Sequence, residues 1–350
     1  MSTPSAAPAA PAAPAATAAT ATSASILPLQ QARALGLALE KALRSRIVGQ
    51  DDTVQAVLAA VMAGGHSLLI GPPGVAKTLL VRTLAEALGW SFKRIQFTPD
   101  LLPADITGTE VLREDRQAGT RELVFVPGPI FAHVVLADEI NRATPKTQSA
   151  LLEAMQERSV TAGGKTHILP SPFLVLATEN PVEQEGTYRL PEAQLDRFLL
   201  AIEVGYPSLE HEKAIALLPT GSAIAAVPRV SATPAEVVAL QAAVASIPVA
   251  QVAVDYAVAL TRATRPQGQG STAWAREHLR WGCGPRATQH LIAAARARAV
   301  LDGALAVDPS HIRVMAQAVL AHRLVPTFTA SGKGLNGQTL VTQLLATVKA

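Results

Sequence analysis

Short apolar runs alternate with longer helical patterns over residues 26–206 of this 350-residue chain. The apolar runs predict four buried strands, His66–Ile70, Phe92–Phe97, Val134–Ala137 and Phe173–Thr178. Apolar residues at helical spacing predict helices over Lys77–Leu88 and Lys146–Glu157. Strands that alternate with helices indicate an α/β fold with a parallel sheet, whose ligands bind at the carboxyl ends of the strands.

Two segments interrupt this alternation. Residues 105–130 contain polar and glycine residues typical of turns, around a strand-like Glu122–Val126. Val160–Leu169 predicts a hairpin that turns at Ala162–Gly164. Neither insertion is needed to close a sheet, so each is a candidate for contact with another molecule, the alternative being a passive surface hairpin.

The pattern changes after about residue 223, where strand signals end. Helices are predicted over Pro234–Ile247, Val252–Thr264, Arg286–Leu301 and Pro309–Leu324, with a further amphipathic stretch over Thr339–Val348. The chain is therefore expected to hold an α/β domain over residues 26–206, a linker over 207–230 and a small all-helical domain over 231–350. Residues 1–25 are almost entirely Ala, Pro, Ser and Thr, a composition typical of a disordered tail.

Composition favours a cytoplasmic protein without membrane insertion. Hydrophobic residues make up 49% of the chain and charged residues 16%, as in globular proteins, and the single cysteine excludes an internal disulfide. The most apolar stretch, Ala56–Ile70, is too short to span a bilayer and contains two glycines and a histidine. The beginning of the sequence lacks the basic residues and bulky apolar run of a signal peptide.

Charge is unevenly distributed along the chain. Residues 251–350 carry 11 Lys and Arg against 4 Asp and Glu, whereas the rest carries 19 against 23. Such a basic part could contact nucleic acid or an acidic partner. We favour the alternative, a solvated helical face with a few arginines directed at a bound nucleotide.

A glycine- and proline-rich loop with the sequence GPPGVAKT follows the strand that ends at Ile70 and leads into a helix. Phosphate groups bind where backbone N–H groups and a helix N-terminus point at them. Lys77 supplies an ammonium for the β- and γ-phosphates, and Thr78 a hydroxyl for the metal ion. Ala76 stands where glycine is usual, and its methyl group is tolerable there if the residue has ordinary helical or turn dihedral angles. The predicted binding residues are Gly71, Pro72, Pro73, Gly74, Val75, Ala76, Lys77, Thr78 and Leu79.

Acidic and amide side chains end two of the predicted strands. Asp138 and Glu139 follow Val134–Ala137, where Asp138 can hold Mg²⁺ through water and Glu139 can orient or deprotonate the attacking water. Asn180 follows the next strand and can reach the γ-phosphate or the water. The alternatives are a solvated pair of acids and a turn-forming Asn before Pro181.

In these motifs the chain resembles the MoxR family of AAA+ ATPases, from about Leu29 to Leu324. The motifs that carry the resemblance are Ile47–Asp51, the phosphate loop, Ala137–Gln148 (ADEINRATPKTQ), Leu151–Glu157 (LLEAMQE), Ala177–Pro181 (ATENP), Thr187–Phe198 (TYRLPEAQLDRF) and Gly284–Ala287 (GPRA). MoxR-like proteins commonly carry alanine at the position of Ala76. The resemblance implies a P-loop AAA+ core followed by a helical lid.

The resemblance also implies roles for particular residues. Val48 and Gly49 match the segment that lies against adenine, and Asn180 matches the first sensor of the phosphates. Arg286 matches an arginine that the lid extends toward the phosphates, although it could be a surface residue at a helix start. Arg197 matches the finger that one subunit inserts into its neighbour's site.

The assignment of the arginine finger has alternatives. Arg197 could instead form an ion pair within its own subunit, with Glu192 or Asp196. Arg142 and Arg189 are rival candidates, and one sequence does not choose among them.

The function implied by the resemblance is Mg²⁺-dependent ATP hydrolysis in a homo-oligomeric ring, most often a hexamer. MoxR-like proteins remodel, mature or activate client proteins, often with a partner that bears a von Willebrand factor A domain. Two other functions stay open at this point. One is a nucleic-acid-stimulated motor, against which we note that the sequence shows no appended DNA-binding domain. The other is a slowly cycling, nucleotide-gated assembly scaffold.

Overall fold

A computed structural model describes residues 28–115, 120–182, 186–219, 226–230, 232–268 and 271–350. The tail predicted over residues 1–25 and part of the predicted linker lie outside these residues. The strands are β1 (Ser67–Ile70), β2 (Phe92–Gln96), β3 (Gly108–Asp115), β4 (Thr120–Pro127), β5 (Val134–Asp138), β6 (Ser159–Ala162), β7 (Lys165–Ile168), β8 (Leu174–Glu179), β9 (Leu200–Glu203), β10 (Leu279–Trp281) and β11 (Val325–Pro326). The helices are α1 (Leu29–Arg44), α2 (Asp51–Ala63), α3 (Lys77–Leu88), α4 (Pro103–Thr107), α5 (Pro145–Glu157), α6 (Glu192–Leu195), α7 (Leu209–Ala216), α8 (Pro234–Ser246), α9 (Gln251–Ala263), α10 (Ala273–His278), α11 (Pro285–Asp302), α12 (Pro309–Leu320), α13 (Phe328–Gly332) and α14 (Gly337–Thr347).

The central element is a five-stranded parallel sheet in the order β2-β5-β8-β1-β9. This arrangement confirms the predicted α/β fold, and the four predicted strands correspond to β1, β2, β5 and β8. The edge strand β9 is missing from the sequence analysis. Its apolar run, Phe198–Ile202, is as long as those that predicted β1 and β5 and was a usable signal.

Both faces of the sheet are covered by apolar side chains. Along β5, Val134 and Leu136 belong to a core that also contains residues of α1, α3 and the C-terminal helices. Val135 and Ala137 belong to a second core, shared with α5. Because successive side chains of a strand point to opposite faces, the continuous apolar run of β5 is what burial on both faces requires.

A buried histidine precedes β1 and ties neighbouring elements together. The Nδ1 atom of His66 accepts a hydrogen bond from the backbone N–H of Val175 at 3.0 Å, and Nε2 lies 3.2 Å from the carbonyl oxygen of Met155. Burial lowers the pKa of His66 from 6.5 to about 4. The ring is therefore neutral at physiological pH, with its proton on Nε2.

We expect His66 to make the folded state less stable as the pH falls from 6.5 to about 4. In this window the unfolded chain binds a proton at this residue and the folded chain does not, so protons favour unfolding. The pKa difference corresponds to at most roughly 3 kcal/mol. Urea unfolding at pH 7.5 and pH 5 measures the effect, and a His66→Gln variant should lose less stability between the two pH values than the wild type. An equal loss in both proteins would contradict this assignment.

The two predicted insertions are antiparallel hairpins. β3 pairs with β4 along their whole length, and β6 pairs with β7. The two hairpins are in contact. The ring of Phe125 on β4 stacks on that of His167 on β7, with 3.9 Å between ring centroids. Leu112 and Leu123 lie opposite each other in β3 and β4 and are 61% and 65% exposed, so the first hairpin presents apolar side chains to solvent.

The C-terminal domain packs α11 against α2, α9 and α12, and its apolar residues continue the core on one face of the sheet. It is not all-helical as predicted, because β10 and β11 form a two-stranded antiparallel ladder. The strands have three and two residues, too few to show an alternating pattern. The predicted amphipathic stretch near the end corresponds to α14, which buries Leu340, Val341 and Leu344.

The predicted linker over residues 207–230 contains a helix, α7 (Leu209–Ala216), which begins after an N-capping Ser208. This helix buries none of its residues, so its sequence lacks the apolar stripe that would have identified it. Within the described ranges, none of the helices is long and apolar enough to cross a membrane.

Candidate active site

The phosphate loop lies between β1 and α3. The backbone N–H of Gly71 donates to the carbonyl oxygen of Glu179 at 3.1 Å, which fixes the beginning of the loop to the end of β8. A Cβ atom at Gly71 would lie 2.2 Å from the carbonyl oxygen of Val204, so only glycine fits. The loop then leads into the N-terminus of the 12-residue helix α3, with Lys77 as its first residue.

Ala76 does not meet the condition of ordinary helical or turn dihedral angles under which its methyl group would be easily tolerated. Its φ is 62° and its ψ is 18°, in the left-handed region where a Cβ atom is crowded. Ala76 is the N-cap residue of α3, directly before Lys77. An L-residue there costs about 1–2 kcal/mol relative to glycine.

We expect Ala76→Gly to stabilise the folded protein by up to about 1 kcal/mol. Glycine removes the left-handed strain, but its greater freedom in the unfolded chain offsets about 0.4–1 kcal/mol of the gain. The midpoint of urea unfolding should therefore rise slightly. A loss of stability would show that the methyl group of Ala76 makes packing contacts worth more than the strain.

The ammonium of Lys77 folds back onto the phosphate loop. Its Nζ atom donates to the carbonyl oxygen of Gly71 and, at 3.0 Å, to that of Pro72. Burial lowers the pKa of Lys77, while the charges of Asp138 and Glu139 act in the opposite direction. The ammonium therefore lies in the loop that is predicted to hold phosphate groups, facing both acids at the end of β5.

Asp138 is 7% exposed and every oxygen of its carboxylate is engaged. Oδ1 accepts a hydrogen bond of 2.6 Å from the hydroxyl of Thr178. Oδ2 accepts from Nε and Nη2 of Arg94 at 2.8 and 2.7 Å, and the hydroxyl of Thr78 lies 3.5 Å from the same oxygen. The strands β2, β5 and β8 and the helix α3 thus bring four polar side chains to one point of the sheet edge.

Glu139 turns away from β5 in a left-handed conformation, with a φ of 57°. Its backbone N–H donates to the hydroxyl of Thr178 at 2.8 Å, so this threonine aligns both acids. The carboxylate oxygen Oε2 accepts from Gln96 at 2.8 Å and from Arg142 at 2.9 Å. Arg142, a rival candidate for the finger, therefore binds the acid of its own subunit.

Asn180 is buried at the end of β8, beside Ile70 and the phosphate loop. Its Oδ1 atom accepts from the backbone N–H of Val182 at 3.1 Å, which is the turn-forming contact. Its amide nitrogen is the group that is predicted to reach a phosphate or water. The structure is thus compatible with both roles predicted for Asn180, contact with a phosphate or water and formation of the turn before Pro181.

Arg189, the other rival candidate, lines a cavity of about 590 Å³ together with Asn180 and His322. Burial raises the pKa of the nearby Glu179, and the charge of Arg189 partly opposes this increase. The cavity lies at the carboxyl ends of β1 and β8, so Arg189 is close to the site of its own subunit.

The lid arginine pairs with a carboxylate of its own subunit. Arg286 is the second residue of α11, and its Nη1 atom lies 3.4 Å from Oδ2 of Asp196, next to Arg197. Among the described residues it joins none of the hydrogen bonds around Lys77 and the acids. Its contact with the phosphates therefore stays a prediction.

Arg197 is partly exposed and lies beside Glu153 and Glu157 of α5. Among the residues that the structure describes, Arg197 forms no ion pair within 4.0 Å. It therefore pairs with neither Glu192 nor Asp196, the two partners considered for it. Asp196 pairs with Arg323 and Arg286 instead. The guanidinium of Arg197 is therefore available at the surface of the subunit.

The segment matched to adenine binding runs next to α7. Gly49 has a φ of 71°, and a Cβ atom there would lie 2.5 Å from the ring of His211. Gln50 donates to the carbonyl oxygen of Gly205 at 3.0 Å. Val48 and Gly49 are both partly exposed, so α7 forms one wall beside them.

The residues assigned to Mg²⁺ suit that ion. Thr78 offers a hydroxyl oxygen and Asp138 a carboxylate oxygen, and Mg²⁺ is commonly held by one or two carboxylates together with the phosphates of the substrate. The guanidinium of Arg94 already donates to the Oδ2 atom of Asp138, so it is the nearest competitor of a cation for this oxygen. The donor set therefore fits a cation that arrives with the nucleotide.

Sequence reasoning missed several residues of the site. Arg94 and Gln96 lie on one face of β2, and Gln96 is directly opposite Asp138 in the strand register. Their two-residue spacing was a usable signal, but only once β2 is known to lie beside β5. Thr178 was recognised only as part of a strand end.

Comparisons with known proteins agree with this geometry. Residues 66–200 match the family model of the "ATPase family associated with various cellular activities (AAA)", and residues 271–344 match that of the "AAA lid domain". A crystal structure from Cytophaga hutchinsonii, described as that of a candidate ATPase, superposes with a TM-score of 0.83 at 35% identity. The superposition covers 92% of this chain and 96% of that one.

Similar sequences cover most of the chain. "Chaperone MoxR1" of Mycobacterium tuberculosis is 45% identical over 302 residues, which are 86% of this chain and 78% of that protein. "Uncharacterized protein YeaC" of Bacillus subtilis is 42% identical over 90% of this chain and 94% of its own length. "Protein MoxR" of Paracoccus denitrificans is 35% identical, over 81% of this chain and 87% of its own.

Proposed function

The chain belongs to the MoxR family of AAA+ ATPases, and we propose that it hydrolyses ATP with Mg²⁺ to remodel, mature or activate a client protein or complex. The observation that carries this proposal is the position of Glu139. It stands beside the metal-binding Asp138, on the sheet edge that also holds the phosphate loop. This is where a base is needed to act on water aligned with a γ-phosphate.

Each residue of the site has a separate task in this proposal. Lys77 leaves the loop carbonyls and pairs with the β- and γ-phosphates, while Thr78 and Asp138 hold Mg²⁺. The ion, when bound, neutralises charge on the phosphate oxygens. Asn180 orients the γ-phosphate or the water, and Glu139 accepts the proton of that water.

One oxygen of the Glu139 carboxylate is already engaged within the subunit. Its Oε2 atom accepts from both Gln96 and Arg142. We propose that this contact set belongs to a resting arrangement. Release of one donor would open the oxygen to water.

We further propose that the site is completed by a neighbouring subunit in a ring, most often of six subunits. Heterologous contacts that close into a ring allow one subunit to place a residue in the next subunit's site. Of the three candidate fingers, Arg142 binds Glu139 and Arg189 is close to Asn180 in the same subunit, whereas Arg197 lies apart from both. This pattern supports Arg197 as the finger, and Arg286 lies next to it through Asp196.

The client is expected to be a protein, reached through a partner. The Mycobacterium tuberculosis relative is named a chaperone. We propose a cytoplasmic location and a partner with a von Willebrand factor A domain, which would supply specificity. Exposed apolar residues of the β3–β4 hairpin, such as Leu112 and Leu123, are a second surface on which a client could bind.

The test in cells is replacement of the chromosomal copy by Glu139→Gln. A remodeller needs turnover, so this variant should fail to restore whatever defect follows deletion of the protein. A Lys77→Ala copy serves as the control that lacks nucleotide binding. Full restoration by Glu139→Gln, with none by Lys77→Ala, would favour the nucleotide-gated scaffold over the remodeller.

A further inference from the structure

Arg323 connects the lid to the segment that carries Arg197. It ends the 3₁₀ turn after α12, and its side chain is only 3% exposed. Its Nε atom donates to Oδ1 of Asp196 at 2.8 Å. Its Nη2 atom donates to the carbonyl oxygen of Asp196 at 3.3 Å and to that of Phe198 at 2.7 Å.

These contacts lie on both sides of Arg197. The backbone carbonyl before Arg197 and the one after it accept from the same nitrogen of Arg323. The lid thus adds two hydrogen bonds to a short segment that is otherwise held by the backbone bonds from Arg197 N–H to Gln194 and from Phe198 N–H to Leu195. A change in the position of the lid would move the backbone that bears the Arg197 side chain.

The surroundings of Arg323 favour a permanently bound guanidinium. His290 on α11 accepts from it through Nδ1, and the carbonyl oxygen of Val319 accepts from Nη1. Burial, together with the charge of Arg323, lowers the pKa of His290 to about 4, so its ring is neutral and able to accept. Only a planar group with several donors can serve all of these acceptors at once.

We propose that Arg323 is a positioning residue, which holds the backbone on both sides of Arg197 and thereby couples the lid of one subunit to the active site of the next. This inference rests on the proposed action of Arg197 across the subunit interface. Arg323 contacts neither nucleotide nor water in this account. Its effect on hydrolysis is transmitted through the segment from Asp196 to Phe198.

The direct test replaces Arg323 by Met or by Lys and measures steady-state ATP hydrolysis. The nucleotide of each subunit is bound by its own phosphate loop, so the KM for ATP should stay within about twofold of the wild type while kcat falls roughly tenfold to a hundredfold. Arg323→Lys keeps the charge opposite Asp196 but cannot bridge the two carbonyls, so it should also lose kcat. Arg296→Met is the matched control, because among the described residues the Arg296 side chain donates only to the carbonyl oxygen of Ile247, within the lid.

A melting temperature for each variant separates positioning from folding. If Arg323→Met lowers the melting temperature strongly, Arg323→Lys becomes the deciding variant, because it keeps a cation opposite the partly exposed carboxylate of Asp196. Full kcat in Arg323→Lys would overturn the proposal. A folded Arg323→Lys with reduced kcat and unchanged KM supports it.

Mixed rings show whether the effect crosses the interface. Subunits with Arg323→Met have an intact nucleotide site, and subunits with Glu139→Gln have an intact Arg197 segment. When the two are mixed in equal amounts and assemble at random, the rate per Arg323→Met subunit should rise to about half of the wild-type rate, since half of these subunits gain a neighbour with a well-placed finger. A purely internal defect would show no increase.

Arg197→Ala in the same mixing experiment distinguishes the two failures. If mixing with Glu139→Gln restores Arg197→Ala but not Arg323→Met, the finger acts across the interface and the positioning role of Arg323 is wrong. If it restores neither, the trans action of Arg197 itself fails, and the proposal fails with it. Restoration of both supports the coupling.

Discussion

Glu139→Gln is expected to lower kcat for ATP hydrolysis by about 10²–10⁴-fold, the usual contribution of a general base. The amide has the same shape and can still accept from Gln96 and Arg142, but it cannot take a proton from water. ATP binding should change little, because Lys77, Thr78 and the phosphate loop are untouched. Stopped-flow measurement of phosphate release, together with the Kd of a fluorescent ATP analogue, separates the two effects.

The comparison variant for Glu139→Gln is Lys77→Ala, which should lose binding as well as hydrolysis. Glu139→Gln with hydrolysis within a fewfold of the wild type would contradict its role as a base. A variant that neither binds nor hydrolyses ATP would instead indicate that Glu139 maintains the fold around Thr178.

Arg197→Ala is expected to lower kcat by about 10³–10⁵-fold, because the Arg197 finger stabilises charge that develops only in the transition state. The KM for ATP should be nearly unchanged. Steady-state kinetics at saturating ATP measure the effect, and the side chain is partly exposed, so the fold should tolerate the change.

Arg142→Ala provides the matched comparison for Arg197→Ala. Arg142 donates to the Glu139 carboxylate of its own subunit, so its loss affects the site in cis. Mixing with Glu139→Gln subunits should therefore restore hydrolysis to Arg197→Ala and not to Arg142→Ala. The opposite pattern would make Arg142 the residue that crosses the interface.

Local sequence patterns were sufficient for much of the fold. The helix over Lys77–Leu88 begins and ends as predicted, because the phosphate loop precedes it and Gly89 caps it in a left-handed conformation. The strands that deliver Asp138 and Asn180 were also predicted, because each is a continuous apolar run buried on both faces.

Long-range docking was not readable from the same patterns. Arg286 lies beside Asp196, and Arg323 reaches the same residue across 127 residues, so both contacts depend on how the lid packs on the α/β domain. No local periodicity encodes that choice. Ala76 shows a different limit of sequence-based prediction. Alanine favours right-handed backbone conformations, but Ala76 adopts a left-handed one.

The contacts around the two acids depend both on local sequence patterns and on long-range packing. Asp138 and Glu139 were identified from the strand that bears them, but their partners Arg94 and Gln96 come from a strand that precedes them by about forty residues. The strand order places β2 at the edge next to β5, so polar residues of an otherwise unremarkable alternating strand become part of the site.

The central claim is that the nucleotide site is completed by a neighbouring subunit, and the rate of ATP hydrolysis per subunit as a function of protein concentration tests it most directly. Lys77→Ala provides the blank. We predict a rate that climbs steeply with concentration and then reaches a plateau as rings assemble. A rate that stays constant with dilution to concentrations at which the protein is monomeric, while clearly above the blank, would contradict completion by a neighbour.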